Sequence, residues 1–529
     1  MAADSAQGSG PRRVAGDSSP RASGPARRAR QASAAPGGMG STMGWTVLGT
    51  ILPGVGLIRA GRRVIGSLIL ILTLAVIGGL GYLAVTNRRL LTTVALNPTV
   101  LRAAAVTLLV LAVAWVILIG ASHLALRPKG ASFGQRFAGA LLVGVLSFAV
   151  AAPLSFGANL AYTSAGAVSS IFGNEQSATR PTIANTVDPW AEKDRLNVLI
   201  LGGDVDAKRG MKEGVRTDTV IVASIDTATG ATTLISLPRQ TMAIPFPKDS
   251  PLHKKYPNGF GYGQDLRNGE FYLNAMYRNI PAQVSKDILG PTDNLGADVM
   301  KLGVGEALNL PIDYYVLINM DGFRDLINAL GGITVNVNYR VPIGGKTGPP
   351  KVAPTGWIEP GPNQHLTGRL ALWYARGRYG MTDYERQDRQ RCVINAVVQQ
   401  ASPQNLLLNY EKIANAGEKT ILTDVPDDML SALLDLATRV QGTKLRSLSF
   451  RTGTDGFVAS NPDWDKVRAR VKTALKETTK ANTKDTEPSS SATPSPGSTP
   501  SSSATPTTSA PTRSSDLDDA CAYHPQKKK

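Results

Sequence analysis

Histidine and cysteine are scarce in this chain. Four histidines and two cysteines occur among 529 residues, and neither a His-Glu-x-x-His motif nor a paired-cysteine spacing is present. The usual zinc-site signatures are therefore missing. The sequence also has no Walker loop and no Gly-x-Ser-x-Gly elbow. No motif points to zinc, nucleotide or serine-hydrolase chemistry, although a Ser/His/Asp triad without a local signature stays open.

Basic residues outnumber acidic ones by 17. Much of this excess lies in the terminal segments and beside long apolar runs, so we expect no nucleic-acid partner. Residues 1–43 carry six arginines and two aspartates among mostly small or polar residues. Because such a composition cannot bury a core, we predict a disordered basic tail on the cytoplasmic side.

Three apolar runs predict membrane spans at about 64–85, 101–124 and 137–160. At about 1.5 Å per residue, each is long enough to cross a hydrocarbon core of about 30 Å. A shorter run, 44–58, is interrupted by Pro53-Gly54 and is interpreted as an interfacial or re-entrant segment. Residues 44–162 are therefore the predicted membrane region.

Basic residues beside the spans predict the orientation. Three arginines at 59–63 precede the first span, and three cations at 127–136 lie between the second and third spans, so two crossings place both groups on the same side. They outnumber Arg88 and Arg89 on the other side. We therefore expect a multi-pass protein of the cell membrane with a cytoplasmic N-terminus and everything beyond about residue 160 outside. The apolar runs are too long and start too late for a signal peptide.

Three further segments are distinguished by composition. Residues 163–194 are small and polar and predict a linker, 195–475 have a normal globular composition, and 476–529 are dominated by Ser, Thr and Pro and predict a disordered tail. Both cysteines, Cys392 and Cys521, lie in the exported part. An oxidising compartment permits their disulfide, but a buried thiol and a separate loose thiol are equally compatible with the sequence.

The globular region alternates strand and helix patterns. Asn197–Leu201, Thr219–Ile225, Thr232–Leu237 and Ile333–Val337 read as strands, and helical patterns occur at Ala297–Leu308 and Gly322–Leu330. The mixture predicts the α/β class, as an exported α-β-α sandwich around one mixed sheet.

Polar residues follow or precede the predicted strands. They are Asp204 after the first strand, Arg216 and Asp218 before the second, and Arg239 after the third. Strand ends gather ligand groups in open α/β sheets, and the two aspartates could share Mg²⁺. The alternative is structural, with Asp204 closing a turn and Asp218 paired with Arg216 at the surface.

The stretch WYARGRYGMTDYERQDRQR, residues 373–391, concentrates five arginines. Thr382 and Glu385 match a capping box, which predicts a helix that starts at Asp383. On that helix Glu385 and Arg389 are spaced for an ion pair, and so are Asp388 and Arg391. These two pairs need no ligand, and we interpret Arg391 as a solvated surface residue.

Other polar side chains of this stretch lack an obvious local acid. Arg386 and Gln390 share a helix face without an acid four residues away, and Arg376 and Arg378 would project to one side of an extended chain. Unmatched guanidinium groups that converge predict an anion, most simply phosphate.

The ordered segments NVLILGGD, RTDT, SLPR, INMDGFRDLINALGGITV and YARGR…DYERQDRQ resemble the LytR-CpsA-Psr family of cell-wall glycopolymer ligases, over roughly residues 195–400. The resemblance implies an extracytoplasmic enzyme of a bacterial envelope, a glycopolymer–peptidoglycan phosphotransferase. Its implied partners are a glycopolymer on a polyprenyl-pyrophosphate carrier, peptidoglycan and the membrane.

The resemblance also implies roles for individual residues. Pyrophosphate would be held by seven of them: Arg239, Arg376, Arg378, Arg386, Arg389, Gln390 and Asn274. Mg²⁺ or another divalent cation would be held by Asp204 and Asp218, and catalysis would involve Arg216, Arg239 and Asp383. The surface ion pair predicted for Arg389 competes with its implied role.

Two departures from the family pattern leave alternatives open. Gln240 replaces an acid, and Tyr272 stands where a lysine is usual, with Lys254 or Lys255 as possible substitutes. A changed site is compatible with a non-catalytic, regulatory protein that binds polyprenyl phosphate, or with a lipid pyrophosphatase.

Overall fold

The computed structural model describes residues 38–86, 97–172, 175–182, 189–205, 214–401, 421–484 and 514–525. Arg88, Arg89 and most of the predicted basic tail lie outside these ranges. The described part of the predicted membrane region contains five helices: α1 (Met39–Ile51), α2 (Val55–Arg59), α3 (Arg63–Thr86), α4 (Pro98–Leu126) and α5 (Phe133–Ile171). Of these, α3, α4 and α5 are long and apolar enough to cross a membrane, so the number of predicted spans is confirmed.

The short apolar run before the spans is helical on both sides of a break. Helix α1 ends at Ile51 and α2 begins at Val55. Gly54 lies between them with φ +100°, and a Cβ there would come within 2.2 Å of the Gly66 carbonyl oxygen. Glycine is therefore required, and the predicted interruption at Pro53-Gly54 is confirmed. The first helix begins at Met39, inside the segment predicted to be disordered.

The predicted linker after the last span is largely incorrect. Helix α5 runs on to Ile171, and Phe172 packs with Trp190 against a hydrophobic cluster of the following domain. The Gln176 N–H then bonds to the exposed Asp293, and residues 177–179 bond to the buried Asp298 of that domain. Composition alone suggested a free segment because these small polar residues gain their partners only in the tertiary structure.

A seven-stranded mixed sheet forms the centre of the domain. Its strands are β1 (Arg195–Gly203), β2 (Thr217–Asp226), β3 (Thr232–Ser236), β4 (Tyr314–Ile318), β9 (Ile421–Thr423), β10 (Arg446–Ser449) and β11 (Ser515–Asp516). Their order in the sheet is β11-β10-β3-β2-β1-β4-β9. Strand β2 is antiparallel to β1 and β3, whereas β4 is parallel to β1. Consequently the ends of β1, β3 and β4 and the start of β2 meet at one edge.

Helices cover both faces of this sheet, as the predicted sandwich requires. They are α6 (Pro251–Lys255), α7 (Leu273–Asn279), α8 (Leu295–Leu308), α9 (Met320–Ala329), α10 (Gly368–Arg376), α11 (Asp383–Gln400), α12 (Leu430–Gln441), α13 (Trp464–Lys484) and α14 (Leu517–Ala520). Leu199 and Val222 pack toward α7, α8 and α13, whereas Ile221 and Leu234 pack toward α12 and α14. Alternate residues of one strand thus fill two cores.

Two small antiparallel ladders lie within the connection between α9 and α10. Strand β5 (Ile333–Val337) pairs with β8 (Gly361–Leu366), and β6 (Val341–Lys346) pairs with β7 (Val352–Ile358). Together with α10 and α11 they enclose a separate core.

The domain extends beyond the predicted boundary at 475, and the tail is not wholly disordered. Helix α13 continues to Lys484 because the Thr233 hydroxyl bonds to Thr478 at 2.8 Å, fixing the helix on β3. Strand β11 adds to β10, and Cys521 is disulfide-bonded to Cys392 on α11. The disulfide alternative is therefore confirmed. Residues 485–513 lie outside the described ranges.

Candidate anion-binding site

The site lies at the sheet edge where β1, β3 and β4 end. Arg239 follows β3, Asp218 is the second residue of β2, and Asp383 is the first residue of α11. The predicted capping box fixes this helix start, since Thr382 and Glu385 bond to each other's backbone N–H groups. We call Arg239, Arg378, Arg386, Asp218 and Asp383 the arginine–aspartate cluster.

Arg239 joins the two aspartates of the cluster. Its Nε donates to Asp383 Oδ1 at 3.1 Å and its Nη1 to Asp218 Oδ1 at 2.9 Å. Asn274 on α7 donates to the same Asp218 oxygen at 2.8 Å. Burial alone would raise the pKa of Asp218, but the charges of Arg239 and Arg386 and the Asn274 hydrogen bond hold it below its usual value.

Asp383 also receives hydrogen bonds from its own helix. Arg386 Nη2 lies 3.2 Å from Asp383 Oδ2, and the same Nη2 donates to the Asp218 carbonyl at 3.0 Å. Arg386 therefore has an acidic partner three residues earlier, a spacing that the search for acids four residues away did not consider. Burial would raise the pKa of Asp383, but Arg386 and Arg239 lower it.

Arg378 is the least committed arginine of the cluster. Its Nη1 lies 3.4 Å from Asp383 Oδ1, and 41% of its side chain is exposed. Burial, together with the like charges of Arg239 and Arg386, lowers the pKa of Arg378. Excess positive charge at a half-exposed guanidinium is what an anion would relieve.

Arg376 stands beside the cluster at the end of α10. Its guanidinium lies 5.2 Å from the centre of the Trp373 ring and contacts the Met320 sulfur. Because Arg376 ends a helix, the predicted extended alternation with Arg378 is wrong. The charges of Asp218 and Asp204 both act on it, so four guanidinium groups and three carboxylates share this edge of the sheet.

The structural alternative paired Arg216 with Asp218 at the surface, but the structure gives Arg216 a different partner. Its guanidinium pairs with Glu270, which also binds Arg278, while its backbone N–H donates to Asp204 Oδ1 at 2.9 Å. Glu270 was missed because it lies 54 positions along the chain with no motif around it. Its pKa is lowered by the Asn279 hydrogen bond and by the two arginines.

Arg389 and Gln390 face backbone carbonyls instead of the cluster. Arg389 is buried, donates to the carbonyl oxygens of Tyr374 and Gly377, and lies 3.0 Å from the Tyr339 hydroxyl. Gln390 Nε2 donates to the Ala375 carbonyl at 3.3 Å. The predicted ion pair between Glu385 and Arg389 is wrong among the described contacts, because Glu385 caps its own helix and Arg389 points inward.

Arg391 pairs with Asp388 as predicted, but its surface location is wrong. Only 8% of its side chain is exposed. Burial lowers the pKa of its guanidinium. Arg451 shares the Asp388 carboxylate at 2.6 Å, so tertiary contacts cover a face that looked solvated along the helix.

Comparison with known proteins identifies the family of this chain. The sequence model of the LytR_cpsA_psr family matches residues 160–480. The chain belongs to the LytR_cpsA_psr family. A relative from Enterococcus faecalis, named polyisoprenyl-teichoic acid–peptidoglycan teichoic acid transferase TagU, is 31% identical over 54% of this chain and 78% of its own length.

Two other similar proteins come from Streptococcus mutans and Bacillus subtilis. Biofilm regulatory protein A of Streptococcus mutans is 28% identical over 56% of this chain and 69% of its own length. The crystal structure of Bacillus subtilis TagV is 26% identical, covers 53% of this chain and 97% of its own chain, and superposes with a TM-score of 0.37.

No described side-chain contact joins the two departures from the LytR_cpsA_psr pattern to the cluster. Gln240 is exposed in the turn after β3. The Tyr272 hydroxyl bonds to the Leu266 carbonyl, so its side chain turns back onto its own loop. Neither lysine substitute reaches the cluster in the described contacts: Lys255 bonds to the Gln283 carbonyl, and Lys254 shares its short helix, α6.

Asp204 and Asp218 provide the oxygen ligands that a hard cation would need. Each uses Oδ1 for hydrogen bonds, and the described residues provide no hydrogen-bond partner for either Oδ2. No group of three His, Cys, Asp or Glu side chains forms a metal site in the described part of the chain. Two carboxylates with water in the remaining positions fit Mg²⁺, which usually retains several waters.

Proposed function

We propose that this protein transfers a glycopolymer from a polyprenyl-pyrophosphate carrier to a hydroxyl of peptidoglycan, leaving a phosphodiester link. The observation that carries the proposal is the half-exposed Arg378, which shares the Asp383 carboxylate with the partly buried Arg239 and the buried Arg386. Burial, together with the charges of these two arginines, lowers the pKa of Arg378. A pyrophosphate would supply the missing negative charge. The names of the transferase relatives support the substrate class.

In the proposed reaction the acceptor hydroxyl oxygen forms a bond to the phosphorus that carries the glycopolymer. The bond from that phosphorus to the bridging oxygen breaks, and polyprenyl phosphate leaves with the electron pair. Arg239, Arg378 and Arg386 would neutralise charge on the phosphate oxygens, and such electrostatic positioning is the main requirement of phosphoryl transfer. Arg376 would contact the outer phosphate.

The carboxylates would have two different roles. Asp383 holds three arginines and has a lowered pKa, which makes it a weak proton acceptor, so we assign it to positioning. Asp204 and Asp218 would hold Mg²⁺, which when bound supplies further charge neutralisation. The proton of the acceptor hydroxyl would pass to water, because each carboxylate of the site is engaged by arginines or would be engaged by the cation.

The proposed cellular arrangement is a multi-pass membrane protein with a cytoplasmic N-terminus and the catalytic domain outside. The three apolar helices support membrane anchoring. The disulfide between Cys392 and Cys521 supports an oxidising compartment for the domain.

The test is turnover by the full-length protein in detergent, with a polyprenyl-pyrophosphate glycopolymer, a peptidoglycan fragment and Mg²⁺. We expect release of polyprenyl phosphate together with a phosphodiester-linked product. Arg239→Ala and Arg378→Ala should each reduce turnover at least 100-fold, because one lost transition-state donor costs about 3–4 kcal/mol. Arg340→Ala is the control, since that arginine pairs with Glu359 on an exposed ladder. Unchanged turnover in both site variants would refute the assignment.

Two alternatives predict different products in the same reaction. A regulatory lipid-binding protein, suggested by the name of the streptococcal relative, would bind the lipid without releasing polyprenyl phosphate. A lipid pyrophosphatase would release it without requiring a peptidoglycan acceptor. Omitting the acceptor therefore separates transfer from hydrolysis.

A further inference from the structure

The segment that follows the last apolar helix is held by the interior of the domain. We call residues 175–180 the docking segment. The Ser177 hydroxyl bonds to Asp298 Oδ1 at 2.7 Å, the Ala178 N–H bonds to Asp298 Oδ2 at 3.1 Å, and the Thr179 hydroxyl bonds to Asp298 Oδ1 at 2.5 Å. Asp298 is fully buried. Breaking these bonds would leave a buried carboxylate without its partners, which is costly.

A buried ion pair lies directly behind this contact. Lys301 bonds to Asp424 at 2.6 Å, both side chains are 1% exposed, and the Ser177 hydroxyl also reaches Asp424 at 3.2 Å. Lys301 further bonds to the Asp313 carbonyl at 2.9 Å. The docking segment therefore covers a buried charged network, and we expect it to remain bound to the domain.

The docking segment begins close to the apolar layer. Arg102, near the start of α4, bonds to Ser169 near the end of α5 at 3.2 Å, so Ser169 lies level with the start of the predicted span 101–124. Glu175 follows six positions later, a separation of at most about 20 Å even for a fully extended chain. Phe172 already packs in the domain, so little free chain separates the two parts.

A chain of hydrogen bonds leads from the docking segment toward the site. Glu175 accepts from the Tyr315 hydroxyl at 3.1 Å, Asn294 Nδ2 donates to that hydroxyl at 3.0 Å, and Tyr277 donates to Asn294 Oδ1 at 2.9 Å. Tyr277 belongs to α7, the helix that carries Asn274 and its bond to Asp218. The same helix thus contacts both the docked end and the arginine–aspartate cluster.

We propose that the end of α5 and the docking segment, which we together call the strut, hold the domain in place and so fix the orientation of the arginine–aspartate cluster relative to the membrane. The docking contacts lie where β4 begins, whereas the cluster lies where β1 and β4 end, so the two are on opposite edges of the sheet. A freely pivoting domain would meet the pyrophosphate of a membrane lipid in many orientations. The docked domain presents one. This inference rests on the proposed function for its substrate.

The test compares two substrates with the full-length protein carrying Ser177→Ala and Thr179→Ala. One substrate is a long-chain polyprenyl-pyrophosphate glycopolymer in vesicles that contain the protein, and the other is a short-chain, water-soluble analogue added in detergent. We expect turnover of the vesicle substrate to fall at least tenfold and turnover of the soluble analogue to change less than twofold. The control variant, Thr163→Ala with Thr438→Ala, removes hydroxyls that bond only their own helices.

An equal loss with both substrates would overturn the inference, because it would show damage to the site itself. Unchanged turnover of both, with deuterium exchange showing that the Gln176 and Ala178 amides have been released, would also overturn it. If the unmodified protein turns over neither substrate, the proposed function fails.

Orientation can be measured without any turnover. A dye is attached at Val458→Cys, a position that is 45% exposed, and energy transfer from it to dye-labelled lipid is measured. The transfer efficiencies should be narrowly distributed when the strut is unmodified. The distribution should broaden in the double variant, and a broad distribution in both would overturn the inference.

Discussion

The Nε of Arg239 lies 3.1 Å from Oδ1 of Asp383, although the two residues are 144 positions apart. This bond connects the end of β3 with the first residue of α11. Because Arg239 also bonds to Asp218, it holds three elements together at the edge of the sheet. Arg378 contributes one longer contact to the same carboxylate. The cluster therefore contains arginines that build the site and one that is free to bind a ligand.

The first prediction separates these two roles. Arg378→Ala should weaken binding of inorganic pyrophosphate by 10- to 100-fold, since a hydrogen bond to a charged group is worth about 1.5–3 kcal/mol. It should leave the melting temperature almost unchanged, because this side chain is 41% exposed. Arg239→Ala should weaken binding and also lower the melting temperature. Calorimetric titration and thermal unfolding measure the two effects.

Arg340→Ala serves as the control for that comparison, because its partner Glu359 lies on an exposed ladder. An Arg378→Ala variant that unfolds as early as Arg239→Ala would contradict the division of roles. So would one that binds pyrophosphate normally.

The second prediction concerns Arg389, which is structural in the described contacts. Its guanidinium bonds to the carbonyl oxygens of Tyr374 and Gly377 and to the Tyr339 hydroxyl. Arg389→Lys should lower the free energy of unfolding by about 2–4 kcal/mol, because a single ammonium group cannot replace the planar fork and leaves buried carbonyls unpaired. Chemical denaturation measures the change. A Lys variant as stable as the unmodified protein would show that the fork is dispensable.

Local rules predicted the framework of this site well. Alternating and continuous apolar runs placed β1, β2 and β3 within two residues of their observed ends, and the Thr382–Glu385 capping box placed the start of α11. These signals depend on neighbours in the sequence. The three apolar helices were likewise predicted from runs of neighbouring residues.

The partners of individual charges depended on tertiary contacts and were predicted poorly. Pairing four residues apart on α11 missed the bond between Arg386 and Asp383, which are three residues apart. It also assigned Arg389 to an acid, although Arg389 bonds to backbone carbonyls. Glu270, the acid opposite Arg216, had no signature at all. Strand β11 was hidden within a Ser/Thr/Pro-rich tail, because its neighbour β10 lies 68 positions earlier.

The third prediction concerns the disulfide that joins α11 to the C-terminal segment. Cys392 and Cys521 are 129 positions apart, so the bond constrains a long stretch of the unfolded chain. Cys392→Ser with Cys521→Ser should lower the free energy of unfolding by about 2–4 kcal/mol. In the chain-entropy account this loss arises mainly in the unfolded state. Denaturation in the absence of reductant measures it.

Local release of the C-terminal segment provides a second readout for the same variant. The Leu517 N–H bonds to the Leu445 carbonyl and the His524 N–H bonds to Asn338 Oδ1. Deuterium exchange should accelerate at both amides in the double variant and remain unchanged at the β1–β2 pairs in the centre of the sheet. Equal protection of the C-terminal amides in both proteins would show that strand pairing alone retains the segment.

The fourth prediction concerns acid stability. The pKa values of Asp218 and Asp383 are lowered in the folded protein, whereas an aspartate in an unfolded chain has a pKa of about 3.9. The folded state therefore binds these protons more weakly than the unfolded state. Their contribution to the free energy of unfolding is fully present above pH about 4, and it is lost as the pH falls through the lower, folded values.

Asp383→Asn tests this directly through thermal unfolding of the protein between pH 7 and pH 2. The unmodified protein should be more stable than the variant at pH 7, by about 1–3 kcal/mol for a hydrogen-bonded charged group, and the difference should shrink only below pH about 4. Asp465→Asn is the control, because that carboxylate is 94% exposed and should give no such difference. A stability gap that stays constant down to pH 2, or widens in acid, would mean that Asp383 does not carry its charge in the way its arginine contacts require.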